Sequence, residues 1–211
     1  MSCHVYLAVT AAPDVETARQ LDDYVTLDAA GVVAALEQTG LQRDSARRWP
    51  GYLARLQQVA VVIDAAGELT LATFEAATLA QEYSLLESLF AVLPDMPEGR
   101  CVAWQDGDWQ LLWQRAYRHQ LPAPALVHGW PRLSLSELFA ESAVSSDLVR
   151  LYGAEFATAD AIEPALRNAV HWYVMDLRRR CVSGDLERDA ARECAARAVA
   201  RAVQTADGTT S

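Results

Sequence analysis

The chain of 211 residues contains no lysine and a single asparagine, Asn168. Its 18 basic residues are therefore all arginines, and they face 28 acidic residues, which gives a net charge of −10. Binding to nucleic acid through bulk charge depends on basic side chains that displace counterions from phosphates. The acidic balance therefore disfavours a protein that coats nucleic acid, although it is compatible with a local groove lined by arginine.

The sequence also lacks any run of about 18 apolar residues, so it predicts no membrane-spanning helix and no membrane partner. Residues 1–7 have neither the basic segment nor the long apolar segment of a secretory signal. The four cysteines form no C-x-x-C pair and have no histidine at zinc-ligand spacing. We therefore expect a cytoplasmic protein with idle, reduced thiols.

A hydrophobic content of 52% and a charged content of 22% are typical of a folded globular protein. The pattern predicts a single domain over 1–204, with a helical insertion at about 15–57 and a flexible tail at 205–211. Alternating or β-rich runs predict strands at 4–10, 59–64, 68–74, 101–104 and 125–127. Helical spacing of apolar residues predicts helices at 82–93, 108–119, 134–139, 160–181 and 186–204. Three strands that can pair antiparallel, followed by strands alternating with helices, favour an α/β mixed sheet flanked by helices.

Six phrases, in order and spacing, resemble the predicted 3′–5′ exonucleases related to the proofreading domain of family-B DNA polymerases. The phrases are YLAVTAAPD at 6–14, EYSLLESLF at 82–90, VAWQDGDWQL at 102–111, RAYRH at 115–119, RLSLSEL at 132–138 and NAVHWYVMDLR at 168–178. The resemblance covers most of the chain except the insertion and the final helix. It implies a ribonuclease-H-like sheet, in which the first three strands are antiparallel and the later strands are parallel.

Enzymes of that family hold two divalent metal ions with four carboxylates, and one metal generates the attacking hydroxide. The resemblance places these four ligand positions at Ala8, Thr10, Gln110 and Asn168. All four side chains are neutral here, and hard dications prefer anionic oxygen ligands. The resemblance thus implies a vestigial site that binds no metal and has no catalytic residue.

A different register would leave an active metal-dependent enzyme, using Mg²⁺ or Mn²⁺ held by other acids. The candidate acids are Asp14, Asp64, Asp106, Asp108, Glu163 and Asp176. Asp106 and Asp108 follow a strand, where ligands often lie in mixed sheets. A solvated turn explains this pair equally well, and the sequence leaves open whether the two acids rebuild a metal site.

Two tryptophans and one run of arginines are candidate surface features. Trp104, Trp109 and Trp113 fit core positions, whereas Trp130 and Trp172 are candidates for a stacking or partner surface. Residues 178–180 are consecutive arginines, of which Arg178 and Arg179 are candidates for a nucleic-acid or partner contact. Ion pairing with the helix C-terminus and solvent is the simpler explanation for this run. His119 has no nucleophile in signature context, so we expect it to be structural.

These observations predict a degenerate, inactive 3′–5′ exonuclease-like protein that acts as a binding or scaffolding subunit in a nucleic-acid-processing or defence assembly. Another protein subunit is the expected partner, because the net charge disfavours nucleic acid. Two alternatives stay open. One is an active exonuclease with a rearranged acidic site, and the other is a protein-interaction module without nucleic-acid affinity.

Overall fold

The computed structural model describes residues 3–21, 24–42, 53–65, 67–93, 98–141 and 162–206. The strands are β1 (Cys3–Pro13), β2 (Ala54–Ala65), β3 (Glu68–Glu75), β4 (Gly99–Ala103) and β5 (Arg132–Ser134). The helices are α1 (Val15–Ala18), α2 (Ala29–Gln42), α3 (Leu79–Val92), α4 (Gly107–Arg118), α5 (Ala125–Gly129), α6 (Leu135–Glu141), α7 (Pro164–Val182) and α8 (Arg188–Ala206).

The five strands form one mixed sheet in the order β3-β2-β1-β4-β5. The pairs β1/β2 and β2/β3 are antiparallel, whereas β1/β4 and β4/β5 are parallel. This confirms the predicted α/β class, in which three antiparallel strands precede the parallel ones. Strand order and directions are consistent with a ribonuclease-H-like arrangement.

Strand β1 lies at the centre of the sheet, and its side chains alternate between two buried faces. Val5 and Leu7 point to a first face, and Tyr6 and Ala8 point to a second face. Apolar side chains of α3, α4 and α5 cover the first face, and those of α6, α7 and α8 cover the second. Burial of these two apolar layers is the main force that holds the helices on the sheet.

The predicted hairpin is confirmed, with longer strands than expected. Gly67 lies between β2 and β3 with a φ of +87°, a conformation that costs glycine little because it has no Cβ. After the hairpin, the Thr78 side chain accepts a hydrogen bond from the Gln81 backbone, and the Gln81 side chain bonds back to Thr78. This capping box fixes the start of α3.

One predicted strand and one predicted boundary are wrong. Residues 125–127, predicted as a strand, begin helix α5, and the last strand is β5 at Arg132–Ser134. A short apolar run such as Leu126-Val127 is compatible with a buried helix as well as with a strand. Strand β2 begins at Ala54, inside the predicted helical insertion, and Leu56 pairs with Ala11 instead of lying on a helix.

The remainder of the predicted insertion contains α1 and α2. Their buried residues Ala18, Val32 and Leu36 pack with Leu53 in a small cluster separate from the two main faces. Residues 43–52 of the predicted insertion lie outside the described residues. Helix α8 extends to Ala206, so the predicted tail begins within a helix, and its residues 207–211 lie outside the described residues.

The tryptophans divide between core and surface. Trp109 is buried as predicted, and Trp104 is partly buried against the second-face core. Trp113 is 43% exposed, contrary to the prediction, because it lies on the side of α4 opposite Arg115 and Leu112. In the described part of the chain, no helix is long and apolar enough to cross a membrane.

Candidate functional site

The four positions predicted as a vestigial site follow two neighbouring strands and a helix that covers them. Ala8 and Thr10 lie in the second half of β1, and Gln110 lies in the first turns of α4, directly after β4. Because β1 and β4 are parallel, their carboxyl ends meet at the same edge of the sheet. We call this the carboxyl edge and define it by Ala8, Thr10, Gln110 and Asn168.

Helix α7 brings Asn168 toward the same edge because it runs opposite to β1. At its start, the Glu163 carboxylate accepts a hydrogen bond of 3.1 Å from Gln58 Nε2, and Gln58 pairs with Thr10. Further along α7, Asp176 Oδ2 accepts a 2.8 Å hydrogen bond from the hydroxyl of Tyr6. Asn168 therefore lies in the part of α7 that crosses the second half of β1.

Ala8 is an apolar contact between the sheet and helix α7. It is 3% exposed and belongs to the second-face core together with Ala165, Leu166 and Ala169 of α7. A carboxylate at this position would be removed from water and surrounded by hydrocarbon, which is strongly unfavourable for an unpaired charge. The β1 position at which the sequence resemblance predicts the first metal ligand is thus part of the core.

Gln110 is engaged with a neighbouring acid. Its Nε2 donates a 2.7 Å hydrogen bond to Asp106 Oδ2, and Arg132 Nη1 donates to Asp106 Oδ1 at 3.2 Å. Asp106 thus has an amide and a guanidinium as partners, and Asp108 lies in the first turn of α4. Within the described ranges, no group of three or more His, Cys, Asp or Glu residues is arranged to hold a metal ion. Ala8, Thr10, Gln110 and Asn168 supply no carboxylate, so these four side chains do not fit the pair of divalent metals that the resembling exonucleases hold.

Two other acids meet at this edge, and the sequence did not point to this pair. Gln58 Nε2 donates to Glu75 Oε1 at 2.8 Å as well as to Glu163 Oε2 at 3.1 Å. Glu75 is the β3 partner of Gln58, and Thr10 is its β1 partner. One amide thus holds two carboxylates from separate elements next to Thr10. The strand register and the position of α7 bring the two carboxylates together, although Gln58, Glu75 and Glu163 are distant in sequence.

A second group of charges is buried on the first face, beyond the carboxyl end of β1. We call it the buried ion network and define it by Asp14, Glu82, Arg115, Arg118 and His119. Arg115 Nε donates to both Glu82 oxygens at 2.9 and 3.0 Å, and its Nη1 lies 3.5 Å from Asp14 Oδ2. Arg118 Nη1 lies 2.9 Å from the same Asp14 oxygen, and His119 Nε2 lies 2.7 Å from Glu82 Oε2.

Backbone groups complete the buried ion network. The Leu56 N–H of β2 donates to Glu82 Oε1 at 2.6 Å, and the Thr17 N–H and hydroxyl donate to Asp14 at 3.0 and 2.6 Å. Asp14, Glu82 and Arg115 are each at most 1% exposed. This network ties β1, β2, α1, α3 and α4 together, so Asp14 and His119 have structural partners.

Asp176 is the buried acid of the second face. It accepts from the Tyr6 hydroxyl and from Arg179 Nε, both at 2.8 Å. Burial, followed by the charge of Asp176 and the hydrogen bond to it, raises the pKa of Tyr6 well above its ordinary value, so Tyr6 stays protonated as the donor. Asp176 and Arg179 thus form a local ion pair, so the Arg179 guanidinium is already engaged by a carboxylate.

The predicted surface residues have different environments. Trp130 is only 6% exposed, so the prediction of a stacking surface there is wrong: its ring fills the space next to Gly99, where an added Cβ would lie 2.1 Å from it. Trp172 is half-buried, with its ring stacked 4.9 Å from that of Trp104. Arg178 is half-buried on α7.

The cysteines have the environment expected of idle thiols. All four are free, and Cys3 and Cys101 are buried in the first-face core. Burial raises the pKa of Cys101 to about 12, while the nearby Arg132 opposes the shift. The Cys101 thiol is therefore protonated and unreactive at neutral pH.

No protein-family model, no curated protein and no solved structure matches this chain. The resemblance to exonucleases therefore stays a prediction from the six sequence phrases, with which the arrangement of the strands and helices is consistent.

Proposed function

We propose that this protein is a catalytically inactive 3′–5′ exonuclease-like protein that works in the cytoplasm as a binding or scaffolding subunit of a nucleic-acid-processing or defence assembly. The observation that carries the proposal is the burial of Ala8 under α7 at the carboxyl edge. In a metal-dependent exonuclease, this β1 position would present a carboxylate to a metal ion and to the substrate phosphate. Here it presents a methyl group to a helix.

The engagement of nearby acids also supports the proposal. Asp14 is held by Arg115 and Arg118, and Asp176 is held by Tyr6 and Arg179. A carboxylate that is already neutralised by guanidinium groups must lose those partners before it can ligate a cation. These acids therefore stabilise the fold and are poor substitutes for the missing ligands.

An acidic chain with exposed aromatic side chains is better suited to a protein partner than to nucleic acid. Trp113 and Tyr117 lie one helical turn apart on the outer side of α4, and Tyr117 is 79% exposed. Aromatic residues are enriched in protein–protein interfaces. The outer side of α4 is thus the first place to look for a subunit contact.

The proposal is tested by incubating the protein with 5′-labelled single-stranded DNA in Mg²⁺ or Mn²⁺ at low salt. We expect no shortening of the DNA by wild-type protein. The Asp106→Ala and Glu163→Gln variants are matched controls that reveal any activity carried by a contaminant, since such activity is equal in all three preparations. Metal-dependent shortening that either variant abolishes would overturn the proposal.

That outcome would establish the second candidate function, an active exonuclease with a rearranged acidic site. The specific observation in its favour is the pair of Glu75 and Glu163 around Gln58. Two carboxylates within reach of one amide nitrogen are close enough to share a divalent cation. In that case Gln58→Ala would increase the affinity for Mn²⁺, because it frees both carboxylates.

A further inference from the structure

The opposite end of β1 carries a group of charged residues that the proposed function does not use. His4 lies on the second face, between Asp64 of β2 and Arg100 of β4, which are its partners in the sheet register. Neighbouring strands are about 4.8 Å apart, and side chains in register point to the same face. Arg100 and Asp64 therefore flank His4 on opposite sides and are separated from each other by two strand spacings.

Helix α7 brings a second arginine to His4. Asp176 contacts the hydroxyl of Tyr6, which also lies 3.5 Å from His4 Nδ1. Arg180 follows Asp176 by one helical turn, so it lies on the same side of α7 and further toward the start of β1. The Asp185 N–H, just after the helix, donates to the Arg180 carbonyl at 2.8 Å, which fixes the end of this turn.

Arg100 and Arg180 differ from two other arginines carried by the sheet and by α7. Arg179 is paired with Asp176, and Arg132 is paired with Asp106. In contrast, the guanidinium groups of Arg100 and Arg180 form no hydrogen bond and no ion pair with any residue in the described part of the chain. In a protein with an excess of 10 acidic residues, these two guanidinium groups beside one histidine have no carboxylate partner among the residues that the structure describes.

The imidazole of His4 responds to these charges. Burial lowers the pKa of His4, the positive charges of Arg180 and Arg100 lower it further, and Asp176 and Asp64 oppose the shift. The single proton of the Tyr6 hydroxyl is donated to Asp176, so His4 Nδ1 faces the Tyr6 oxygen as a donor. Nε2 is then the atom that takes up a proton when an anion approaches.

We propose that Arg100, Arg180 and His4 form a binding site for a phosphate monoester. Two planar guanidinium forks match the oxygens of a phosphate, and a protonated His4 Nε2 supplies a third donor. Asp64, on the far side of His4, stabilises the imidazolium without facing the anion. A dianion fits this group better than a carboxylate does, because it neutralises two positive guanidinium groups at once. The site lies at the edge opposite Ala8, so it stands whether or not the proposed function is correct.

The test is an NMR titration of the His4 imidazole proton with inorganic phosphate, with chloride at equal ionic strength as the reference. His4→Gln assigns the resonance among the four histidines. We expect saturable binding that raises the pKa of His4. Arg100→Gln and Arg180→Gln should each weaken binding about tenfold or more, because each removes charge-assisted hydrogen bonds. Arg188→Gln, an exposed arginine on α8, is the matched control and should bind as the wild type does.

Arg180→Lys keeps the positive charge but lacks the planar guanidinium group. We expect it to bind phosphate more weakly than the wild type does but more tightly than Arg180→Gln does. That intermediate affinity would show that the loss in Arg180→Gln does not come from misfolding. Competition with an oligonucleotide that carries a 5′-phosphate, compared with the same oligonucleotide ending in a 5′-hydroxyl, distinguishes a nucleic-acid end from a small phosphate ester as the source. The proposal is overturned if phosphate moves the His4 resonance no more than chloride does, or if Arg100→Gln binds phosphate as tightly as Arg188→Gln.

Discussion

The buried ion network and the contact of Ala8 with helix α7 lie near the same end of β1 but on opposite faces of the sheet, and their chemistry is opposite. On the first face, the buried side chains of Asp14 and Glu82 accept hydrogen bonds from Arg115 and from several N–H and O–H donors. On the second face, Ala8 is equally buried but neutral and apolar. Charge is thus retained on the first face, where it joins structural elements, whereas the Ala8 position presents an uncharged methyl group to helix α7.

The strongest way to break this comparison is to remove the central cation of the network. Arg115→Ala leaves Glu82 buried without its guanidinium partner and removes one of the two arginines that contact Asp14. Breaking a buried pair in this way costs about 3–5 kcal/mol. Urea unfolding should therefore show a much lower free energy of unfolding. Arg192→Ala removes an exposed arginine that pairs with Asp189 at 3.8 Å, and it should have no measurable effect. Equal stability of the two variants would show that the network does not hold the fold.

Returning a carboxylate to the second face tests the other half of the comparison. Ala8→Asp places an unpaired carboxylate in the apolar contact with α7 and should destabilise the protein by about 3 kcal/mol. Thr10→Glu, at the half-exposed neighbouring position, should cost much less. Urea unfolding of both variants measures the difference. Similar stability of the two would mean that the Ala8 position is open to water, contrary to the packing described.

A smaller effect is expected from Asp176, a buried carboxylate of the second face. Tyr6→Phe removes the hydroxyl that donates to Asp176 and leaves that acid with Arg179 as its remaining side-chain partner. A loss of about 1–2 kcal/mol follows from one missing hydrogen bond to a buried charge. Thermal unfolding should show a lower Tm by a few degrees. An unchanged Tm would indicate that Arg179 alone satisfies Asp176.

The smallest effect concerns pH and the other end of β1. The pKa of His4 is lowered by burial and by Arg180 and Arg100, so the unfolded chain takes up a proton near pH 6.5 before the folded protein does. The contribution of His4 to stability is therefore complete above that pH and is lost as the pH falls through the lowered pKa. In phosphate-free buffer, the stability of His4→Gln should fall less than that of the wild type between about pH 7 and pH 5. A steeper fall in the variant would contradict the direction of the shift.

Much of the fold could be predicted because local patterns determine it. The alternation of β1 and the glycine turn of the hairpin are visible in a few residues, and helix α7 ends close to the predicted stop at Gly184, whose φ is +81°. Strand β5 was not predicted because it contains only three residues, Arg132–Ser134. A run that short has too little alternation to be recognised.

The candidate sites were harder to predict because they depend on pairs that are distant in sequence. Asp14 and Arg115 are 101 residues apart, and Gln58 and Glu163 are 105 residues apart. The run of three arginines at 178–180 is visible in the sequence, but the sequence predicts Arg178 and Arg179 as contact candidates and not Arg180. The position of Arg180, one turn after Asp176, becomes meaningful only once Asp176 is placed against Tyr6.

The central claim, that the carboxyl edge has exchanged metal binding for packing, is tested most directly by the thermal stability of the wild-type protein in increasing Mg²⁺ or Mn²⁺. A ligand that binds only the folded state raises Tm in proportion to the logarithm of its concentration. We predict no such rise beyond that produced by equal ionic strength of a monovalent salt. A saturable rise that Glu163→Gln or Asp106→Ala abolishes would contradict the claim.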